Sequence, residues 1–404
     1  MVEAGTADLL TAPGAAPLTA AIREGPAGDL GIYVHCLFCL RRCPYCDFNV
    51  ALYREDRVAP LLVALHGEFA LWGREAWASR TEVASLFFGG GTPSLLEPGA
   101  VGRLIEAVAR TFRLRPGAEI TLEANPERLT PERLAGYRAA GVTRLSLGVQ
   151  GLDDRVLARL GRGHTADDAR GAFRAARAAG FPEVSVDLLY ACPGQGLAGW
   201  RRDLEEVIAW APEHLSCYAL TLEPGTAFAR RPLRDLPDEE TQLAQYRAMV
   251  ERLGAAGYEQ YEISNFARPG HRSAHNQRYW RGEEYLGLGP GAHSFLGAVR
   301  FANHRSQLRY RARLDAGLLP IAAWECLSPA QRLGERIVFG LRLAEGIPRA
   351  WLAEGFADAP ATLERLLARY GEVGLLRAEG ERVRLTEAGR LLADAIGADL
   401  LPAA

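Results

Sequence analysis

Three cysteines fall in the run Cys39-x3-Cys43-x2-Cys46, on a stretch too short to fold by itself. Thiolates at this spacing can hold three corners of a [4Fe–4S] cube and leave the fourth iron open to a ligand. An open iron makes such a cluster a reactant as well as an electron carrier. A fourth cysteine, Cys36, completes two knuckle-like pairs, Cys36-x2-Cys39 and Cys43-x2-Cys46. That pairing raises the alternative from another class, a zinc or redox protein without cluster chemistry. Zinc sites generally separate their knuckles by about a dozen residues so that a fold can form around the metal. Here only Leu40, Arg41 and Arg42 intervene, and the two arginines also argue against thiols buried for packing alone.

These residues need a scaffold, and the flanking pattern supplies one. Strand-like runs at Ile32–His35, Ser85–Phe88, Glu119–Glu123, Arg144–Gln150, Glu183–Tyr190 and His214–Thr221 alternate with helical patterns. Strands each followed by a helix imply a parallel sheet wound with one hand, open or curled into a partial barrel. Polar and glycine-rich residues gather just after the strands. They are the cysteine loop, Gly89-Gly90-Gly91-Thr92, Glu123, Gln150 and Asp187. In a barrel all of these share the carboxyl-terminal rim, where active sites are built. Taken alone, the glycines could serve an ordinary turn and Asp187 a helix cap. Their convergence on one rim favours a site.

Composition bounds the rest. A chain of 404 residues with 48% hydrophobic content can bury one large core and a smaller one. The formal charge of −2, and a net −1 counted over residues 361–404, offer no basic face for nucleic acid. No stretch is apolar over the ~20 residues that a membrane span requires. The expected location is cytoplasmic and reducing, where clustered thiols are metal ligands rather than cystines. The expected organisation is a disordered tail over 1–28, a barrel over 29–257, an extension over 258–360 and a winged-helix-like module over 361–404.

The string Tyr33-x-His35-x3-Cys39-x3-Cys43-Pro44-Tyr45-Cys46-Asp47-Phe48-Asn49 resembles the opening of radical S-adenosylmethionine (SAM) enzymes. More narrowly, it is similar to the oxygen-independent coproporphyrinogen III oxidase group. The resemblance runs through nearly the whole chain from about residue 30. It implies an α/β fold: a partial (β/α)6 TIM-like barrel with a C-terminal α+β extension and a small winged-helix-like module. It also implies a cluster whose unique iron is chelated by SAM, which one electron cleaves to methionine and a 5′-deoxyadenosyl radical.

Carried over by position, Cys39, Cys43 and Cys46 hold the cluster, and Tyr33 and Tyr45 pack near it. Gly90, Gly91 and Thr92 receive the methionine amino end, because glycine lets a ligand approach the backbone. Glu123 suits an ammonium or ribose hydroxyl, and Gln150, Arg162 and Asp187 complete the polar frame.

Within this group the oxidases carry another cysteine two positions after the third ligand. Here that position is Phe48, which matches the HemW-type heme chaperone branch. The segment His275-Asn276-Gln277-Arg278-Tyr279-Trp280 is a second mark of that branch, where it is associated with heme binding. His275 can offer an imidazole to iron, and Tyr279 and Trp280 flat apolar area, with His271 and His293 as competing imidazoles. The implied function is a heme chaperone that passes heme to acceptor hemoproteins and draws on an electron donor for its cluster, with room for a homodimer. The alternative is an oxygen-independent coproporphyrinogen III oxidase. Three departures from the family pattern stand out: Cys36-Leu37 before the first ligand, Ala191-Cys192 for a usual glycine and leucine, and Ala219 for a usual glutamine.

Overall fold

The computed structural model describes residues 2–3, 15–231 and 233–401. Its centre is six parallel strands: β1 (Leu30–Cys36), β2 (Glu82–Gly90), β3 (Arg113–Ala124), β4 (Arg144–Gln150), β5 (Glu183–Tyr190) and β6 (His214–Ala219). They pair in chain order, β1 with β2 through to β5 with β6. Most residues of β1 and β5 are buried on both faces, as expected of parallel strands covered by crossover helices. The covering helices carry local start signals. Asp168 and Thr165 form a reciprocal capping box at the helix Ala166–Ala178, and Thr130 caps Pro131–Ala139.

The chain that follows the barrel flanks it on both edges. Strands β7 (Glu259–Gln260) and β8 (Asn265–Ala267) continue beyond β6, with β8 antiparallel to it. Strand β9 (Tyr285–Leu288) instead adds parallel to β1, and β10 (His293–Leu296), β11 (Val299–Asn303) and β12 (Ile321–Cys326) follow antiparallel. The result is a single open sheet of thirteen strands among the described residues, including a two-residue edge strand at Val2–Glu3. The barrel is therefore partial because both of its edges are taken by later strands.

Two expected boundaries are corrected. Residues 1–28 are not all tail: helix α1 (Ala16–Glu24) buries Leu18, Ala21 and Ile22, one helical stripe, in the main core. Trp77 Nε1 donates to Ile22 O at 2.7 Å, fixing the helix to the barrel. Residues 4–14 of that expected tail lie outside the described residues.

The expected extension over 258–360 also divides differently. Its strands join the barrel sheet as far as Cys326, whereas the helix Pro329–Arg342 belongs to a second core. That core gathers Leu333, Ile337 and Leu341 with Leu363, Val383 and Ile396. Strands β13 (Ile347–Pro348), β14 (Leu376–Glu379) and β15 (Arg382–Leu385) complete it. The small module thus begins near residue 329, not 361, because its first helix turns Leu333, Ile337 and Leu341 into that second core.

Candidate functional site

A cavity of about 710 Å³ opens at the carboxyl-terminal rim of the six strands. Every site residue expected from the sequence lines it, except Tyr33 and His275. Cys39, Cys43 and Cys46 are uncross-linked and half-exposed on its wall, whereas Cys36 is buried in β1. Burial raises the Cys39 thiol to about 11 and also pushes Cys46 up. A bound cationic centre is what would convert such thiols to thiolates. Two donors already point at the sulfurs: Thr92 Oγ1 lies 3.5 Å from Cys39 Sγ and Arg162 Nη1 3.8 Å from Cys43 Sγ.

The glycine run works differently from a simple open cradle. Gly91 N donates to Cys36 O at 2.7 Å and Thr92 N to Phe38 O at 2.8 Å. These bonds tie the cysteine loop to the end of β2. A Cβ on Gly91 would lie 2.6 Å from Cys36 O and 2.7 Å from Phe38 O, so the loop demands glycine there. Gly90, at φ +103°, has its N–H bonded to Glu123 Oε2 at 3.0 Å. The amides are spent inside the fold. What this wall can offer an ammonium is carbonyl oxygen and the Glu123 carboxylate.

Glu123 accepts that one hydrogen bond among the described residues. Burial, reinforced by nearby Asp187, raises its carboxyl to about 8. Asp187 is raised to about 6 by burial, although Ser146 Oγ donates to it at 3.0 Å and Ser185 and Ser216 oppose the shift. Two neighbouring carboxyls buried in one cavity, one of them accepting a single hydrogen bond, are suited to a cation.

Asn125, which sequence reasoning passed over, links the two ends of the site. Its Nδ2 donates to Thr92 Oγ1 at 3.0 Å, and its Oδ1 accepts from Arg162 Nη2 at 2.5 Å. Its position two residues past Glu123 was the available signal. Gln150 sits at φ 67° beside a register shift that ends β4. Tyr45 packs on Phe228, their ring centroids 6.4 Å apart.

Tyr33 and His275 are placed elsewhere. Tyr33 lines a smaller cleft that shares Asp47, Phe48 and Gly90 with the rim cavity, and it bonds His35 Nδ1 at 3.1 Å. His275 is 1% exposed. Its Nδ1 is 2.9 Å from Ser85 Oγ, its Nε2 3.0 Å from Tyr279 OH, and its ring stacks on Phe87. With both nitrogens hydrogen-bonded, the ring braces Tyr279 against β2. Trp280 turns the other way, edge-on to Phe339 and under Arg342, and docks the C-terminal module.

An open sheet with a three-cysteine loop and a carboxylate-lined cavity on its rim defines a radical SAM protein. The Radical SAM superfamily model matches residues 33–207, and a HemN C-terminal domain model matches 327–392. Heme chaperone HemW of Mycobacterium tuberculosis is 40% identical over 96% of this chain and 97% of its own. The Escherichia coli protein of that name is 37% identical over 79% and 84%. A mouse relative, radical S-adenosyl methionine domain-containing protein 1, mitochondrial, is 37% identical over 94% and 89%. Coproporphyrinogen III oxidase (HemN) from Escherichia coli, described as a radical SAM enzyme, superposes with a TM-score of 0.85 at 25% identity. It matches 96% of this chain and 93% of its own. The chain belongs to the HemW family.

Membership of the radical SAM superfamily implies a [4Fe–4S] cluster and SAM, and the residues present fit both. The donor set is three soft sulfurs with cationic and hydroxyl neighbours, beside a cavity large enough for a ligand on the open iron.

Proposed function

We propose that this chain is a cytoplasmic heme chaperone: it holds a [4Fe–4S] cluster on Cys39, Cys43 and Cys46, binds SAM in the rim cavity, and passes heme to acceptor hemoproteins. The observation that carries the reading is Phe48. It occupies the position of the oxidases' further cysteine and is 58% exposed, so no additional thiol faces the cavity from there. The near full-length identity to proteins named as heme chaperones supports the same choice.

The cluster, once reduced by an external donor, supplies one-electron chemistry. The chain's own residues bind and orient. Glu123 and Asp187 face the cationic ligand, while Arg162 and Asn125 hold the cysteine loop against β4. No described helix is long and apolar enough to cross a membrane.

The full-length likeness to a coproporphyrinogen III oxidase makes that enzyme the second reading. One anaerobic experiment separates the two. The reconstituted protein is given SAM, a reductant and coproporphyrinogen III, with a parallel heme titration. The expected result is heme binding without protoporphyrinogen; product formation would overturn the chaperone reading in favour of the oxidase.

A further inference from the structure

The outer surface of the cysteine loop carries a lopsided charge. Arg41 and Arg42 stand in solvent between Cys39 and Cys43. Arg128 flanks the loop on one side: its guanidinium lies over the Tyr53 ring, and Tyr53 N donates to Cys39 O at 2.8 Å. Arg230 and Arg231 flank it on the other, where Phe228 N donates to Pro44 O at 2.9 Å. All five arginines are exposed. Arg41 pairs with Glu127 at 3.7 Å and still keeps 54% of its side chain in solvent. The other four have no carboxylate partner among the described residues. The nearby Asp56 and Asp235 are taken by Arg54 and Arg159, which leaves exposed Asp47 and half-buried Glu223 as the unpaired acids of this surface. In a chain of net charge −2, this is a local concentration of positive charge.

The same surface has an apolar centre. Phe38–Cys39 pairs in parallel with Ala51–Leu52, which sets Leu52 opposite Cys39. Leu52 is 60% exposed and Phe48 58%, although both are large and apolar. The three thiols beside them are themselves only partly covered. Exposed apolar side chains rimmed by arginines are the composition of a protein interface. A site for a polyanion would be basic through its centre as well.

Position decides which protein fits. A partner seated on Leu52 and the arginines meets the wall that carries Cys39, Cys43 and Cys46. We infer that this face docks the electron donor, a small one-electron carrier protein whose acidic surface meets Arg42, Arg128, Arg230 and Arg231. The inference rests on the cluster in the functional reading and gives its reductant a place. One electron leaves the carrier, which is oxidised, and enters the cluster, which is reduced; no bond and no proton changes hands. The face is small, as those of transient redox encounters are. Attraction between opposite charges therefore serves association rate more than affinity.

The test uses the full-length chain and, as donor, a photoreduced acidic plant-type [2Fe–2S] ferredoxin. Stopped-flow absorbance follows reduction of the reconstituted cluster, and biolayer interferometry follows association of ferredoxin with the cluster-free chain. The double variant Arg128→Glu/Arg231→Glu should lower both the reduction rate and the association rate by about tenfold or more. The wild-type rates should fall as salt is raised. Arg377→Glu, on exposed β14 of the C-terminal module, should change neither rate. Photoreduced deazaflavin, a small reductant, should reduce wild type and double variant to the same extent, which a variant that lost its fold or cluster would not allow. An unchanged ferredoxin rate in the double variant, or an equal loss in Arg377→Glu, would overturn the docking face. Tighter association with phosphatidylserine vesicles than with ferredoxin would make the patch a membrane contact and overturn it too. Charge-dependent association without an effect on reduction would give the face to another acidic protein and remove the donor. A chain that assembles no cluster would instead defeat the functional reading itself.

Discussion

Two buried carboxyl groups, Glu68 and Glu123, look alike by residue type, and burial pushes both upward, to about 7 and about 8. Their surroundings differ. Glu68, on helix α2 (Glu55–Trp72), accepts from Gly289 N at 2.8 Å, Asn303 Nδ2 at 2.7 Å and Tyr310 OH at 2.5 Å. It latches the barrel to the strands that follow and has nothing left to offer a ligand. Glu123 accepts one bond and faces a cavity. The histidines repeat the contrast, with His275 saturated and His293 open. Spare hydrogen-bonding capacity, more than burial or a shifted pKa, separates a site from a support.

The sharpest way to test that contrast is among the cysteines. Cys39→Ala, Cys43→Ala or Cys46→Ala should each abolish cluster assembly, whereas Cys36→Ala should leave iron and sulfide content unchanged. Loss of the cluster in Cys36→Ala would mean that burial in β1 does not exclude it.

Next in size is Glu68→Leu, which orphans three donors. It should cost about 3 kcal/mol or more, read by chemical denaturation, with SAM binding retained in the folded fraction. Glu123→Gln should do the reverse: stability kept or raised, and SAM affinity lowered by roughly 10–100-fold, the worth of a hydrogen bond to a charged group. If the two variants behaved alike, the distinction would collapse.

A pH series sharpens it further. Both carboxyls hold their protons more tightly folded than unfolded. Their contribution is full below the ordinary value of 4.5 and is lost as pH climbs through about 7 and about 8. Ligand-free protein should therefore melt at progressively lower temperature from pH 5 to 8.5. Glu123→Gln should flatten the upper part of that decline. A cation bound beside Glu123 favours its ionised form, so SAM affinity should rise over the same range.

The smallest effect expected is at Ala191, where φ is 59° and the family usually has glycine. Ala191→Gly should stabilise the chain by about 0.5–1 kcal/mol, since the left-handed strain relieved exceeds the entropy glycine loses. A loss of stability there would show that the Ala191 methyl is needed for packing.

The rim site was legible because its chemistry is local. Cys39, Cys43 and Cys46 lie on one loop, Glu123 and Gln150 stand at the ends of their strands, and Asp187 lies within a strand whose apolar run announces it. Asn125 was not legible: an asparagine after a strand reads as a turn until its bonds to Thr92 and Arg162 are seen. The Trp280 contact to Phe339 and the true start of the C-terminal module near residue 329 were equally hidden, since each depends on which distant apolar face is nearby.

The amino-acid sequence by itself determined the candidate cluster cysteines, the six-strand parallel core and the family. These follow from spacing and period, which are properties of the chain as written. Only the tertiary structure decided which histidine is free. His271, His275 and His293 are the same side chain within one segment. Whether an imidazole is a strut or a ligand depends on the partners that fill its two nitrogens. Those partners, Ser85 and Glu183, come from strands far away in the chain.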